Sequence, residues 1–122
     1  MAGTIVASYL NDGTTSGSTT DMVKGSARAW VNFNGTGTVT IIASYNVSSI
    51  TDNGTGDYYV NFTTSMPNTN YATVVSACDT PTFNRMTGPY PSSETTRIRV
   101  MSSAYISGPT QYDSIMNVAI FR

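Results

Sequence analysis

Apolar and polar residues alternate with a period of two along much of this chain, a pattern typical of β-strands with one buried face. The alternation is clear at residues 29–33, 57–63, 95–102 and 112–122. The β-branched segment 39–42 follows an Asn-Gly turn signal and is expected to pair back on the first of these segments. No helical period competes with this pattern, so the sequence predicts seven to nine short strands.

These strands predict an all-β fold, a single antiparallel β-sandwich of the jelly-roll type. Met22 and Val23 are expected to form a further short strand. Four residues after the first hairpin are expected to share one side of a continuing strand: Ile41, Ala43, Tyr45 and Val47.

The chain is predicted to have two parts, residues 1–20 as an N-terminal arm with a flexible loop and residues 21–122 as the sandwich. Residues 11–20 hold no large apolar side chain, which indicates a mobile loop. The preceding segment is either an arm that docks on a neighbour or one strand of a hairpin with a long tip. As an arm, it would offer four apolar contact residues: Ile5, Val6, Tyr9 and Leu10.

Residues 79–93 contain three prolines and are predicted to form the longest loop. Long loops on a rigid β scaffold are frequent binding surfaces. We expect Phe83, Arg85 and Tyr90 to contact a partner or receptor there, although packing of the tyrosines against neighbouring loops is an alternative.

The last strand carries apolar residues on both faces, which predicts that it is central in a sheet or covered by a second subunit. Trp30, the single tryptophan, opposes the Val31 face of its strand. It is either a core residue or part of a subunit interface, where aromatic side chains are favoured. Trp30 and Phe121 are therefore the candidate interface residues.

Charge is sparse: 11% of the 122 residues are charged, six are Lys or Arg, and the net charge is −1. This composition does not favour nucleic-acid binding, which usually requires a basic patch. Arg97 and Arg99 are expected on one strand face, either solvated or paired with Glu94, or in contact with a phosphate or glycan. No apolar run is long enough to insert into a membrane.

Candidate chemistry is also sparse, because the chain has no histidine and one cysteine. We predict no enzyme activity, no cofactor and no metal site. Asp52 and Asp57 flank one turn, where Asx-turn hydrogen bonding, a calcium loop or a carboxylate pair are the alternatives.

The strings RAWVNFNGTG, SYNVSSITDNGTGDY and NFTTSMPNTNYA, within residues 24–72, resemble a module of tailed bacteriophages. In that family it forms distal domains of tail fibres and tailspikes, and stand-alone proteins that decorate capsids. A weaker similarity continues over residues 112–122. The resemblance carries no catalytic motif.

The resemblance implies a virion structural protein. Because the chain starts at Met1 and holds little beyond the module, we expect a homotrimeric capsid cement or decoration protein. It would bind the major capsid protein on the outer capsid surface, after assembly in the host cytoplasm. The alternative is the receptor-binding tip of a tail fibre or tailspike, which would contact a host cell-surface glycan.

Overall fold

A computed structural model of the chain describes residues 2–78, 85–105 and 109–122. The described elements are, in chain order, β1 (Tyr9–Asn11), β2 (Ser16–Ser18), α1 (Thr19–Gly25), β3 (Ala27–Asn34), β4 (Thr40–Tyr45), β5 (Val47–Gly54), β6 (Asp57–Phe62), β7 (Ala72–Cys78), β8 (Arg85–Ser93), β9 (Arg97–Tyr105), β10 (Pro109–Gln111) and β11 (Ile115–Phe121).

The long strands form two antiparallel sheets. One sheet has four strands in the order β4-β3-β11-β7. The other has five, in the order β10-β9-β6-β5, with β8 also paired to β9. Because β8 and β10 both pair with Ser103 and Ala104, they lie on opposite edges of β9. The antiparallel all-β sandwich predicted from the alternation is confirmed, and its central strands are β3, β11, β6 and β9.

The core lies between these central strands, on the faces that the alternation predicted to be buried. Its buried apolar residues are Ala29, Val31, Phe33, Val47, Tyr58, Val60, Phe62, Met66, Ile98, Val100, Met116, Val118 and Ile120. The Phe33 ring of one sheet packs edge to face against the Tyr58 ring of the other, with the ring centroids 5.1 Å apart. Burial of this apolar set is the main force that holds the layers together.

One end of the sandwich is closed by a buried polar cluster. The Tyr58 hydroxyl donates to Asp113 Oδ1 at 2.7 Å, and the Gly56 amide donates to the same oxygen at 2.8 Å. Burial of the phenol, and then the nearby Asp113 carboxylate, raise the pKa of Tyr58. A Cβ at Gly35 would meet the Tyr58 hydroxyl, so only glycine fits at that turn. These contacts link β6 to the segment before β11 and to the turn after β3.

A β-bulge overturns the expected common side for Ile41, Ala43, Tyr45 and Val47. Asn32 pairs with Ala43 but Phe33 pairs with Ile41, so Ile42 is an extra residue in β4. The bulge places Ile41 against the core and turns Ala43 and Tyr45 to the outer face.

The prediction of a loop at residues 79–93 is wrong for residues 85–93, which form the strand β8. The prolines are tolerated because β8 is an edge strand, and its pairing with β9 becomes irregular between Pro89 and Ser93. Residues 79–84, with Phe83, lie outside the described part of the chain.

In the first part of the chain, the structure shows the hairpin alternative, with a shorter tip than expected: β1 pairs with β2. Its turn is held by Asp12 Oδ1, which accepts the Thr14 and Thr15 amides at 2.9 and 2.7 Å. Met22 and Val23 belong to the helix α1, not to a strand. The Ser18 hydroxyl caps this helix by accepting from the Thr20 amide.

Candidate functional surfaces

The outer face of the β4-β3-β11-β7 sheet carries an uncharged groove. One transverse row of paired residues crosses all four strands in the order Tyr45, Trp30, Ala119, Val74. The adjacent row reads Ala43, Asn32, Asn117, Ser76. We call seven of these residues, all except Tyr45, the uncharged face; Tyr45 lines a different surface. They line a shallow groove of about 450 Å³, whose described lining has no Asp, Glu, Lys or Arg.

Apolar side chains of this face stay open to solvent in the single chain. Trp30 is 41% exposed and Val74 is 59% exposed, although they belong to well-paired strands. A row of exposed apolar residues across neighbouring strands is a candidate interaction surface.

The polar centre of the same face holds an unsatisfied acceptor. Asn32 Nδ2 donates to Asn117 Oδ1 at 2.7 Å. Asn32 Oδ1 is buried and accepts no hydrogen bond from any described residue. Leaving a buried acceptor unpaired costs about 1–3 kcal/mol.

The outer face of the opposite sheet has a different chemistry. Arg99 pairs with Asp57, and Arg97 Nε bonds Glu94 Oε2 at 3.0 Å. Arg97 lies 4.0 Å above the Tyr59 ring, and Asn61 Nδ2 donates to Thr51 Oγ1 at 2.9 Å. The hydrogen bond from Arg99 lowers the pKa of Asp57. We call this set the charged face; its polar groups find partners within the chain.

The Asp52 and Asp57 carboxylates have separate structural contacts. Asp52 Oδ1 accepts the Gly54 amide at 2.9 Å, which is an Asx turn, while Asp57 binds Arg99. Among the residues that the structure describes, no three His, Cys, Asp or Glu side chains cluster as metal ligands would.

The third surface is an open cavity of about 540 Å³ at the end of the sandwich away from Tyr58. Four parts of the chain meet there: the β4–β5 corner, the segment after β6, the start of β3 and Arg122. Its described lining is Arg28, Tyr45, Asn46, Thr63, Thr64, Ser65, Met66, Pro67 and Arg122. We call it the end cavity.

Asn46 builds the floor of the end cavity. It is the one described non-glycine residue with positive φ, at 55°, a conformation that Asn tolerates better than most residues. Its Nδ2 donates to the carbonyls of Arg28 and Thr64, both at 3.1 Å, and its Oδ1 accepts the Thr64 amide at 2.7 Å. One side chain therefore ties together three segments of backbone.

The residues predicted as contact sites are spread over the molecule. Ile5, Val6, Tyr9 and Leu10 are all exposed, with Ile5 at 88% and Val6 at 95%. Trp30 lies on the uncharged face, and Phe121, half-buried, lies on the same side of β11 as Ala119. Ile115, also on that side, is exposed, so this face of the last strand is not buried within the chain.

Arg85 and Tyr90 belong to β8 rather than to a loop, and their side chains are not among those described. Sequence reasoning missed the end cavity, because Arg28, Asn46 and Arg122 are far apart in the chain. The isolated Asn between two apolar segments was the available signal for a tight corner.

The described helix, α1, is seven residues long, and no described helix has the length and apolar composition to cross a bilayer. Comparison with protein-family models, curated proteins and solved structures finds no match to this chain.

Proposed function

We propose that this protein is a non-catalytic virion structural protein, a homotrimeric cement protein that reinforces the outer capsid surface by binding the major capsid protein. The observation that carries its assembly role is the uncharged face, which a single chain leaves uncovered. The phage assignment rests on the sequence resemblance within residues 24–72.

A second copy of the chain is the occupant that the uncharged face favours. A net charge of −1 puts little repulsion between copies. The face combines Trp30 and Val74 with amide and hydroxyl groups, the mixture found at the centres of subunit interfaces.

The N-terminal arm is proposed as the contact with the shell. Residues 2–8 form no regular element, and Ile5 and Val6 are almost fully exposed. Burial of two such side chains contributes about 3–6 kcal/mol before the cost of ordering the arm. Three arms on one trimer bind together, so a modest affinity for each arm is sufficient.

The mechanism of reinforcement is mass action. A protein that binds the assembled shell but not its free subunits lowers the free energy of the assembled state alone. Disassembly then requires release of the bound trimers first.

A second candidate function is that of a distal receptor-binding domain of a tail fibre or tailspike. The end cavity favours it, because an exposed Tyr45 beside Arg28 and several hydroxyl groups is a surface suited to polar ligands. Adhesion and reinforcement are compatible roles for one trimer.

The two functions separate in a binding experiment with purified protein, capsids that lack it, and host cells. A cement protein saturates the capsids and raises the temperature at which they release their genome. A variant with Ile5 and Val6 both replaced by Ser should lose this binding, while Val23→Ser, also at an exposed apolar residue, should keep it. Binding to cells with none to capsids would contradict the cement function and support the receptor-binding one.

A further inference from the structure

The end cavity has the composition of a binding site for a sugar acid. We infer that it binds the carboxylate and one ring face of an acidic saccharide, a uronic-acid type of unit. This inference does not depend on the virion role, since it rests only on the geometry of the cavity.

The two arginines present their charges to the cavity. Arg28 Nε lies 3.5 Å from the Arg122 main-chain oxygen, and Arg122 Nε donates to Asn68 Oδ1 at 3.2 Å. The terminal nitrogens of both guanidinium groups make no hydrogen bond to a described residue. No Asp or Glu is among the described lining residues. A planar guanidinium with uncommitted terminal nitrogens suits a carboxylate ligand.

The backbone at Arg28 explains its position. Ala27 pairs with Phe121 and Ala29 pairs with Ile120, so Arg28 is the extra residue of a bulge between β3 and β11. Bulges change the direction in which a side chain points and are frequent beside functional sites. The carbonyl of Arg28 is in turn held by Asn46 Nδ2. The cavity wall is therefore preorganised by the fold.

The remaining lining suits the neutral part of a sugar. Tyr45 is 59% exposed, and its hydroxyl makes no hydrogen bond to a described residue, so the ring offers a flat face to the apolar C–H side of a pyranose. Thr63, Thr64 and Ser65 add short hydroxyl groups to the lining, and each can donate and accept. A cavity of about 540 Å³ is within the range of small-molecule sites.

A nucleic acid is a poorer fit than a saccharide. The chain carries a net charge of −1 and six basic residues in all, so it lacks the extended positive surface that a phosphate backbone requires. Two arginines in one cavity match one acidic unit.

The test is calorimetric titration of the full chain with tetragalacturonate and with its fully methyl-esterified, neutral form. We expect saturable binding of the acid at one site per chain, with the ester bound at least about tenfold more weakly because the charge-assisted hydrogen bonds are lost. Arg28→Gln should reduce affinity for the acid by about tenfold. Tyr45→Ala should weaken both sugars, whereas Tyr45→Phe should retain them.

Arg97→Gln is the matched control, because it removes the same charge from the opposite sheet. It should leave the titration unchanged. Equal losses in the two Arg→Gln variants would overturn the inference, since they would indicate non-specific charge attraction. Equal binding of acid and ester, or no saturable binding of the acid in the millimolar range, would also overturn it.

Two further variants keep the result interpretable. Arg28→Lys retains the charge but not the planar fork, and should bind with an affinity between those of the wild type and Arg28→Gln. Val74→Asp, on the uncharged face, should disrupt assembly and leave the titration intact. Failure of assembly and failure of saccharide binding are therefore read separately.

Discussion

The two outer faces of the sandwich are both made of strands, yet they treat their side chains in opposite ways. On the charged face, Arg97 and Arg99 are paired with carboxylates and lie over or near the Tyr59 ring. On the uncharged face, Trp30 and Val74 are exposed on either side of Ala119, and the described lining holds no charged residue.

This difference shows that an outward-facing position in a sheet does not determine whether its side chain finds a partner within the chain. Asn61 on the charged face donates to three acceptors on β5, whereas Asn32 on the uncharged face has an acceptor with no donor. The charged side chains of the charged face already have ion-pair partners when the face is open to water. The apolar side chains of the uncharged face are buried only when another molecule covers it.

The largest effect is expected from an acidic residue on the uncharged face. Val74→Asp would bury a charge in the proposed subunit interface, which costs several kcal/mol and lowers the association constant by about 100-fold or more. Analytical ultracentrifugation over a dilution series measures this change.

Thr51→Asp is the matched control for that variant. Thr51 is also an exposed residue of a sheet-edge strand, β5, but it lies on the charged face. It should assemble like the wild type. If Val74→Asp and Thr51→Asp associate equally well, the uncharged face is not the surface through which the chain assembles.

An intermediate effect is expected from breaking the ion pair of the charged face. Asp57→Asn removes the partly buried carboxylate partner of Arg99 and should lower the free energy of unfolding by about 2 kcal/mol at neutral pH. Asp52→Asn is the control, because its amide oxygen still accepts the Gly54 amide. Urea unfolding monitored by circular dichroism gives both values.

The pH dependence of that loss has a definite sign. The pKa of Asp57 is lowered in the folded state by the hydrogen bond from Arg99. The ion pair therefore stabilises the fold fully above the unfolded-state pKa of about 3.9. The contribution disappears as the pH falls through the lower, folded-state pKa. The difference between wild type and Asp57→Asn should therefore narrow below about pH 4. A difference that stays constant between neutral and acidic pH would exclude a role for the ion pair.

The smallest effect is expected at the unsatisfied acceptor. Asn32→Leu, of similar size, removes the buried unpaired oxygen and also the hydrogen bond that Asn117 Oδ1 accepts from Asn32 Nδ2. The two effects on stability oppose each other, so the free energy of unfolding should change by about 1 kcal/mol or less. Urea unfolding in the Val74→Asp background, where no partner is present, measures this change. A loss of about 3 kcal/mol or more would contradict the assignment of Asn32 Oδ1 as an unpaired acceptor.

The central strands were predictable because each buries one face, so that burial alternates along β3, β6, β9 and β11. The edges were less predictable. A bulge at Ile42 reverses the alternation without any glycine or proline to signal it. At β8, prolines usually indicate a break, but the strand pairs by hydrogen bonds with β9 alone. Helix α1 did have a signal, since Ser18 and Asp21 have capping-box spacing.

The surfaces were predictable only in part. Trp30 was a candidate interface residue from its position opposite Val31, but the groove around it depends on pairing with Ala119 and Val74 across the sheet. The end cavity unites Arg28, Tyr45 and Arg122, whose proximity follows from a bulge and a tight corner. Alternation along single strands carries no information on such contacts between distant segments.

The most direct test of the central claim uses Trp30, the only tryptophan, as a reporter of the uncharged face. Its emission maximum and its quenching by acrylamide would be measured during dilution, together with the mass of the protein. The account predicts a trimer in which Trp30 is shielded, with emission shifting to the red and quenching increasing as the trimer dissociates. A monomer at micromolar concentration, with emission and quenching independent of dilution, would contradict it.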